Sequence, residues 1–191
     1  MYLSKSSKLF LLTLARKSIE HFLNHKKYLT LQEVLPDDLR FNSGCFVTLH
    51  SEGNLRGCIG TFNFNDNICE NVMSMAVKSA VDDSRFKPLK INEISNIEVE
   101  ISVLTPLEKV FSRDDIIAGL DGLYIVMGYF TGVLLPQVAR ENNWDVETFV
   151  SYTCLKAGLP SDTWKKYSWK NSEFHVYKFQ ALVFSESDFV V

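Results

Sequence analysis

The segment Ile97-Glu98-Val99-Glu100-Ile101-Ser102-Val103 alternates apolar and polar residues without a break. A two-residue period sends successive side chains to opposite faces of a strand. The run therefore predicts a sheet with one apolar face against a core and another bearing two carboxylates and a hydroxyl. Something apolar must cover the first face, and two segments carry the helical spacing to do so. Leu12, Ala15, Ile19, Phe22 and Leu23 share a helical stripe, with Lys8, Arg16, Lys17 and Glu20 elsewhere on the wheel. Ile68, Val72, Met75, Ala76 and Ser79 mark a second stripe, which ends near Asp82-Asp83-Ser84-Arg85-Phe86 because Pro88 forbids continuation.

Further strands are expected at Cys45-Phe46-Val47-Thr48-Leu49 and at Leu55-Arg56-Gly57-Cys58-Ile59, joined by the turn residues Ser51-Glu52-Gly53-Asn54. Gly122 to Met127 and Gly132 to Leu135 read as an antiparallel pair around a glycine-containing turn, with Pro136 opening a short helix. Asp145 is a suitable N-cap for a helix from Val146 to Ala157, which Gly158 and Pro160 stop. Phe174 to Phe184 is aromatic and β-branched and reads as one closing strand. Strands and helices in this irregular order, without βαβ alternation or an internal repeat, predict an α+β fold with a mainly antiparallel sheet flanked by helices. A chain of 191 residues fits one domain or two small lobes sharing a core.

Composition narrows the function. The four cysteines, Cys45, Cys58, Cys69 and Cys154, form no CxxC pair and no metal-ligand spacing with the histidines, so reduced thiols in the cytoplasm and no metal site are expected. A net charge of −3 lacks the basic excess of most nucleic-acid binders. The apolar cluster from Leu9 to Leu14 falls far short of the run of about 20 residues that crosses a bilayer.

Chemistry concentrates at Arg56-Gly57-Cys58-Ile59-Gly60, a thiol between glycines and two residues from a guanidinium. Glycine allows close approach of a ligand, and on a regular strand Arg56 and Cys58 share a face, where a cation lowers a thiol pKa. The same pattern also suits an inert packed thiol, since free cysteine is among the most buried residue types. Asp82, Asp83 and Arg85 could bind a ligand or form a solvated ion pair. Glu98 and Glu100 could raise each other's pKa or line a wet face. His50 could act as a base for Cys58 if the fold brings them close. Tyr124, Phe130, Trp144, Trp164 and Trp169 could line a pocket or pack a core.

Leu55-Arg56-Gly57-Cys58-Ile59-Gly60-Thr61-Phe62 resembles the hallmark motif of the AMMECR-one domain family, called AmmeMemoRadiSam system protein A in many bacteria. The resemblance continues through Asp83-Ser84-Arg85-Phe86, Ser102-Val103-Leu104-Thr105, Leu134-Leu135-Pro136-Gln137-Val138-Ala139, and Trp144-Asp145 to Cys154-Leu155-Lys156-Ala157-Gly158-Leu159. It implies a single AMMECR-one domain over residues 1–191, with two lobes flanking a cleft near the cysteine motif. The family's biochemical function is not established. Its bacterial and archaeal members look linked to a Memo-type protein resembling extradiol dioxygenases and to a radical S-adenosylmethionine protein. The resemblance names no cofactor. Arg56, Cys58 and Arg85 match the family pattern, whereas Asp121 stands where many relatives have a histidine. The expectation is a thiol-dependent enzyme or enzyme component acting on an unknown small molecule. Cys58 and Arg56 are its catalytic candidates, and Gly57, Gly60, Asp83 and Arg85 its binding candidates. A non-catalytic adaptor is the alternative, and a nucleic-acid-associated regulator a distant third.

Overall fold

The alternating run at residues 97–103 is the third strand of a four-stranded sheet in the computed structural model, which describes residues 2–31, 34–170 and 173–189. In chain order the elements are α1 (Lys5–His25), β1 (Cys45–Ser51), β2 (Asn54–Thr61), α2 (Ile68–Val81), β3 (Ile97–Leu104), β4 (Glu108–Val110), β5 (Gly122–Met127) and β6 (Phe130–Leu134). There follow α3 (Pro136–Glu141), α4 (Val146–Lys156), α5 (Thr163–Lys166), β7 (Phe174–Phe179) and β8 (Ala181–Ser185). The chain divides into two compact units, residues 1–104 with 182–191, and residues 105–181.

The first unit holds a sheet of order β2-β1-β3-β8, in which β1 runs antiparallel to both β2 and β3. Val47, Leu49, Val99, Ile101 and Val103 bury one face beneath Leu11, Leu12, Ala15 and Ile19 of α1 and Ile68, Val72, Met75 and Ala76 of α2. Alternation thus produces the core it predicts, because both helices put their stripes on the same face. The β1–β2 turn is tight, with Glu52 and Gly53 both at positive φ (52° and 75°), as a two-residue hairpin on right-twisted strands requires.

Arg16 ties the ends of this unit together. Its guanidinium donates to both carboxylate oxygens of Glu186, at 2.7 and 2.6 Å, and to the carbonyls of Ile94 and Ile97, while Glu186 also accepts from the Val99 N–H. Glu186 and burial pull the arginine's pKa in opposite directions, and the hydrogen bond donated to Glu186 wins, raising it. Both side chains remain about a quarter exposed, so screening weakens the pair, and Arg16→Met is expected to cost about 1–2 kcal/mol in urea denaturation. An unchanged midpoint would assign the clamp no share of stability.

The second unit holds a sheet of order β4-β7-β5-β6, antiparallel at each of its three pairings. Leu123, Ile125, Phe174 and Val176 pack against Phe149, Val150 and Cys154 of α4. Asp145 caps α4 by accepting the Thr148 N–H at 2.8 Å, and Gly158 takes the positive φ of 80° that ends it. A Cβ at Gly132 would lie 2.7 Å from the Thr153 carbonyl oxygen, so this glycine lets the last turn of α4 settle directly on β6.

The single closing strand expected from Phe174 to Phe184 is two strands that join different sheets. The break falls at Gln180, whose N–H and C=O are both taken by Thr105 (2.8 and 2.9 Å), so the β7 ladder stops there. No helix among the described residues is long and apolar enough to cross a membrane.

A candidate thiol–arginine site

Cys58 lies on the face of the first sheet turned away from α1 and α2. Register places it opposite Thr48, and Thr48 opposite Glu100, so thiol, hydroxyl and carboxylate form one row across β2, β1 and β3. His50 and Glu98 form the next row on the same face. The Thr48 hydroxyl donates to the Cys58 Sγ at 3.3 Å. His50 Nε2 stands 4.0 Å from Glu100, so it reaches this face without bonding to the thiol.

The loop after α2 supplies the rest. Asp83 is 6% exposed and accepts the Cys58 N–H at 2.8 Å, the Arg85 Nε at 2.9 Å and the Arg85 Nη2 at 2.6 Å. Arg85 in turn donates to the Cys58 carbonyl at 3.3 Å. Hydrogen bonds from Arg85 are the main cause holding Asp83 well below the usual carboxylate range, against burial, and Asp83 raises the pKa of Arg85. Asp82, next in sequence, is exposed and ends α2, its N–H meeting the Lys78 carbonyl.

Arg56 is directed elsewhere. Register passes from Leu49–Gly57 to His50–Leu55, which leaves Arg56 as the extra residue of a β-bulge, where two-residue alternation fails. Its guanidinium bonds Glu93 at 3.1 Å, and Glu93 also accepts the Lys90 N–H. The cation beside the thiol is therefore Arg85, 27 residues along the chain. Burial pushes the Cys58 thiol up, opposed by the Thr48 hydroxyl and by Arg85. Burial also raises the other thiols: Cys45 furthest, Cys69 to about 12 and Cys154 to about 11.

Both motif glycines are occupied by packing. A Cβ at Gly57 would strike the Ser79 carbonyl oxygen in the last turn of α2, and one at Gly60 would meet the Phe46 ring. The Ser79 hydroxyl accepts the Ile59 N–H and donates to the Val47 carbonyl, at 2.8 and 2.7 Å. Like-charge repulsion between Glu98 and Glu100 does not govern Glu98, whose pKa is lowered chiefly by Ser187. Asp121 is buried, accepting the Ile117 N–H at 2.8 Å and bonding Gln180, so it closes a turn where the resemblance placed a histidine. No group of three or more potential metal ligands occurs among the described residues.

Sequence comparison agrees with this architecture. The AMMECR1 family model matches residues 12–184, and the chain belongs to that family. It is 43% identical over 190 residues to a protein of Methanothermobacter thermautotrophicus, covering 96% of each chain. With protein PH0010 of Pyrococcus horikoshii it shares 41% identity over 187 residues, covering 93% of this chain and 88% of the relative. The crystal structure of the uncharacterized protein PH0010 superposes with a TM-score of 0.87 at 39% identity, covering 96% of this chain and 93% of that one.

Proposed function

We propose that this protein is a thiol-dependent enzyme, or a component of one, working at the Cys58–Asp83–Arg85 site on an anionic small molecule. The observation that carries this reading is the way Asp83 spends its hydrogen bonds. A nearly buried carboxylate holds a half-exposed guanidinium beside the one cysteine that is not fully buried. Charge-assisted bonds of this kind fix a fork-shaped donor in place, the usual device for receiving a carboxylate or phosphate. In this reading Arg85 receives the anion. Cys58, neutral at rest because burial outweighs its donors, is the nucleophile or redox thiol, and Arg56, through its bond to Glu93, shapes the bulge beside it. Gly57 and Gly60 contribute by setting the strand close to its neighbours. A Memo-type dioxygenase-like protein and a radical S-adenosylmethionine protein are the partners that the family resemblance suggests.

The competing adaptor reading is favoured by a separate observation: both glycines are used in packing, and the thiol's pKa is raised rather than lowered. Alkylation of each cysteine in the native protein, followed by mass spectrometry across pH, separates the two. Cys58 is expected to react selectively over Cys45, Cys69 and Cys154, with a midpoint above the free-thiol value of about 8.5. Arg85→Gln should move that midpoint further up, since Arg85 opposes the effect of burial. Protection of Cys58 at every pH at which the fold survives would make it a packing residue and transfer the case to the adaptor.

A further inference from the structure

The second unit contains a pocket of its own. It has a volume of about 370 Å³ and is lined by Phe111, Ser112, Arg113, Trp164, Lys165, Ser168, Trp169 and Lys170. Its floor is two indoles set edge to face, with centroids 6.4 Å apart at 78° and each only 8% exposed, and Phe111 stands at its side about half exposed. Neither indole nitrogen is left for a ligand. Trp164 Nε1 donates to the Ser151 hydroxyl at 2.9 Å, and Trp169 Nε1 to the Trp164 carbonyl at 3.0 Å. The indoles therefore offer a narrow margin of carbon, and the open aromatic surface is that of Phe111.

The polar lining has one sign. Arg113, Lys165 and Lys170 can only donate, and with the two serine hydroxyls they make a rim that holds no carboxylate among the described residues. Outside the lining, Glu147 pairs with both Arg113 and Lys165 and Asp114 stands 3.8 Å from Arg113, so two carboxylates offset these two cations and Lys170 supplies the net charge; Lys165 Nζ also sits 4.9 Å from the Trp164 ring centroid. Lys170 makes no ion pair among the described residues. Aromatic floor, cationic rim and a volume within the usual range for ligand pockets together define what fits: a flat apolar ring joined to an anionic group.

We propose that this pocket binds small aryl anions, the ring lying against Phe111 and the exposed margins of Trp164 and Trp169 and the carboxylate or phosphate meeting Lys170 first, with Lys165 beside it. The three tryptophans make the test self-controlled, because Trp144 stacks on Tyr152 (4.2 Å between centroids) and does not line the pocket. The indole N–H signals of the ¹⁵N-labelled protein are followed while phenyl phosphate, benzoate, benzyl alcohol or inorganic phosphate is added. Phenyl phosphate or benzoate should shift Trp164 and Trp169 and leave Trp144 still, the tighter of the two identifying the preferred anion. A double variant, Lys165→Gln with Lys170→Gln, should raise the apparent Kd at least about fivefold, a loss near 1 kcal/mol. Four outcomes overturn the proposal: no selective shift, an equal response to benzyl alcohol, the same response to inorganic phosphate alone, or a double variant that binds as the parent does.

Discussion

Gly57→Ala is expected to destabilise the first unit by about 3 kcal/mol, a large share of the margin of an ordinary domain. The added methyl would enter the space of the Ser79 carbonyl, which is helix backbone and has no rotamer through which to yield. Relief requires α2 to lift from β2, and that motion also pulls the Ser79 hydroxyl from the Ile59 N–H and the Val47 carbonyl. The stiffening of the unfolded chain that alanine brings, at most about 1 kcal/mol, does not compensate. Urea denaturation followed by circular dichroism reads the effect as a midpoint lowered by about 1 M or more. Gly53→Ala is no substitute control, since its positive φ adds strain of a different origin. An alanine variant as stable as the parent would mean that helix and strand can separate without loss.

Asp83→Asn is the second large effect, about 2–3 kcal/mol at neutral pH. The amide keeps the shape of the carboxylate but loses its charge, so the two bonds from the Arg85 guanidinium and those from the Arg85 and Cys58 N–H groups are weakened together. Partial exposure of Arg85 limits the loss. The pH dependence provides a signature that packing damage would not. Asp83 is held below the unfolded aspartate value of about 3.9, so its contribution is complete above that pH and is lost as the pH falls through the window beneath it. The gap between parent and Asp83→Asn should therefore be constant from pH 7 to about 5 and narrow below about 4. A gap that stays constant down to acid unfolding would show that the charge of Asp83 contributes nothing.

Much of this architecture was legible because its signals are local. Alternation at 97–103, the helical stripes and the Asp145 cap each act within a few residues, and α2, β3 and α4 form where those signals place them. The neighbourhood of Asp83 and Arg85 was legible for the same reason, the two being two residues apart. Arg56 was not. Its orientation depends on one extra residue between β1 and β2, set by hairpin geometry, and on Glu93 far along the chain. Spacing rules assume an unbroken ladder, and a single bulge changes which side chains share a face. The division of residues 174–184 failed likewise, because Gln180 is claimed by Thr105, a partner 75 residues away that no local pattern reveals.

Cys58 and Ile59 lie on β2, an outer strand of the sheet, where backbone groups left open would invite pairing with another chain. Here Cys58 turns its backbone groups outward, and Asp83 takes its N–H while Arg85 takes its carbonyl. The border at this point is closed by the protein's own side chains, so a foreign strand finds both backbone groups of Cys58 already taken. A binding partner that meets the edge at Cys58 must recognise side chains, and self-templated growth of the sheet is hindered at that residue.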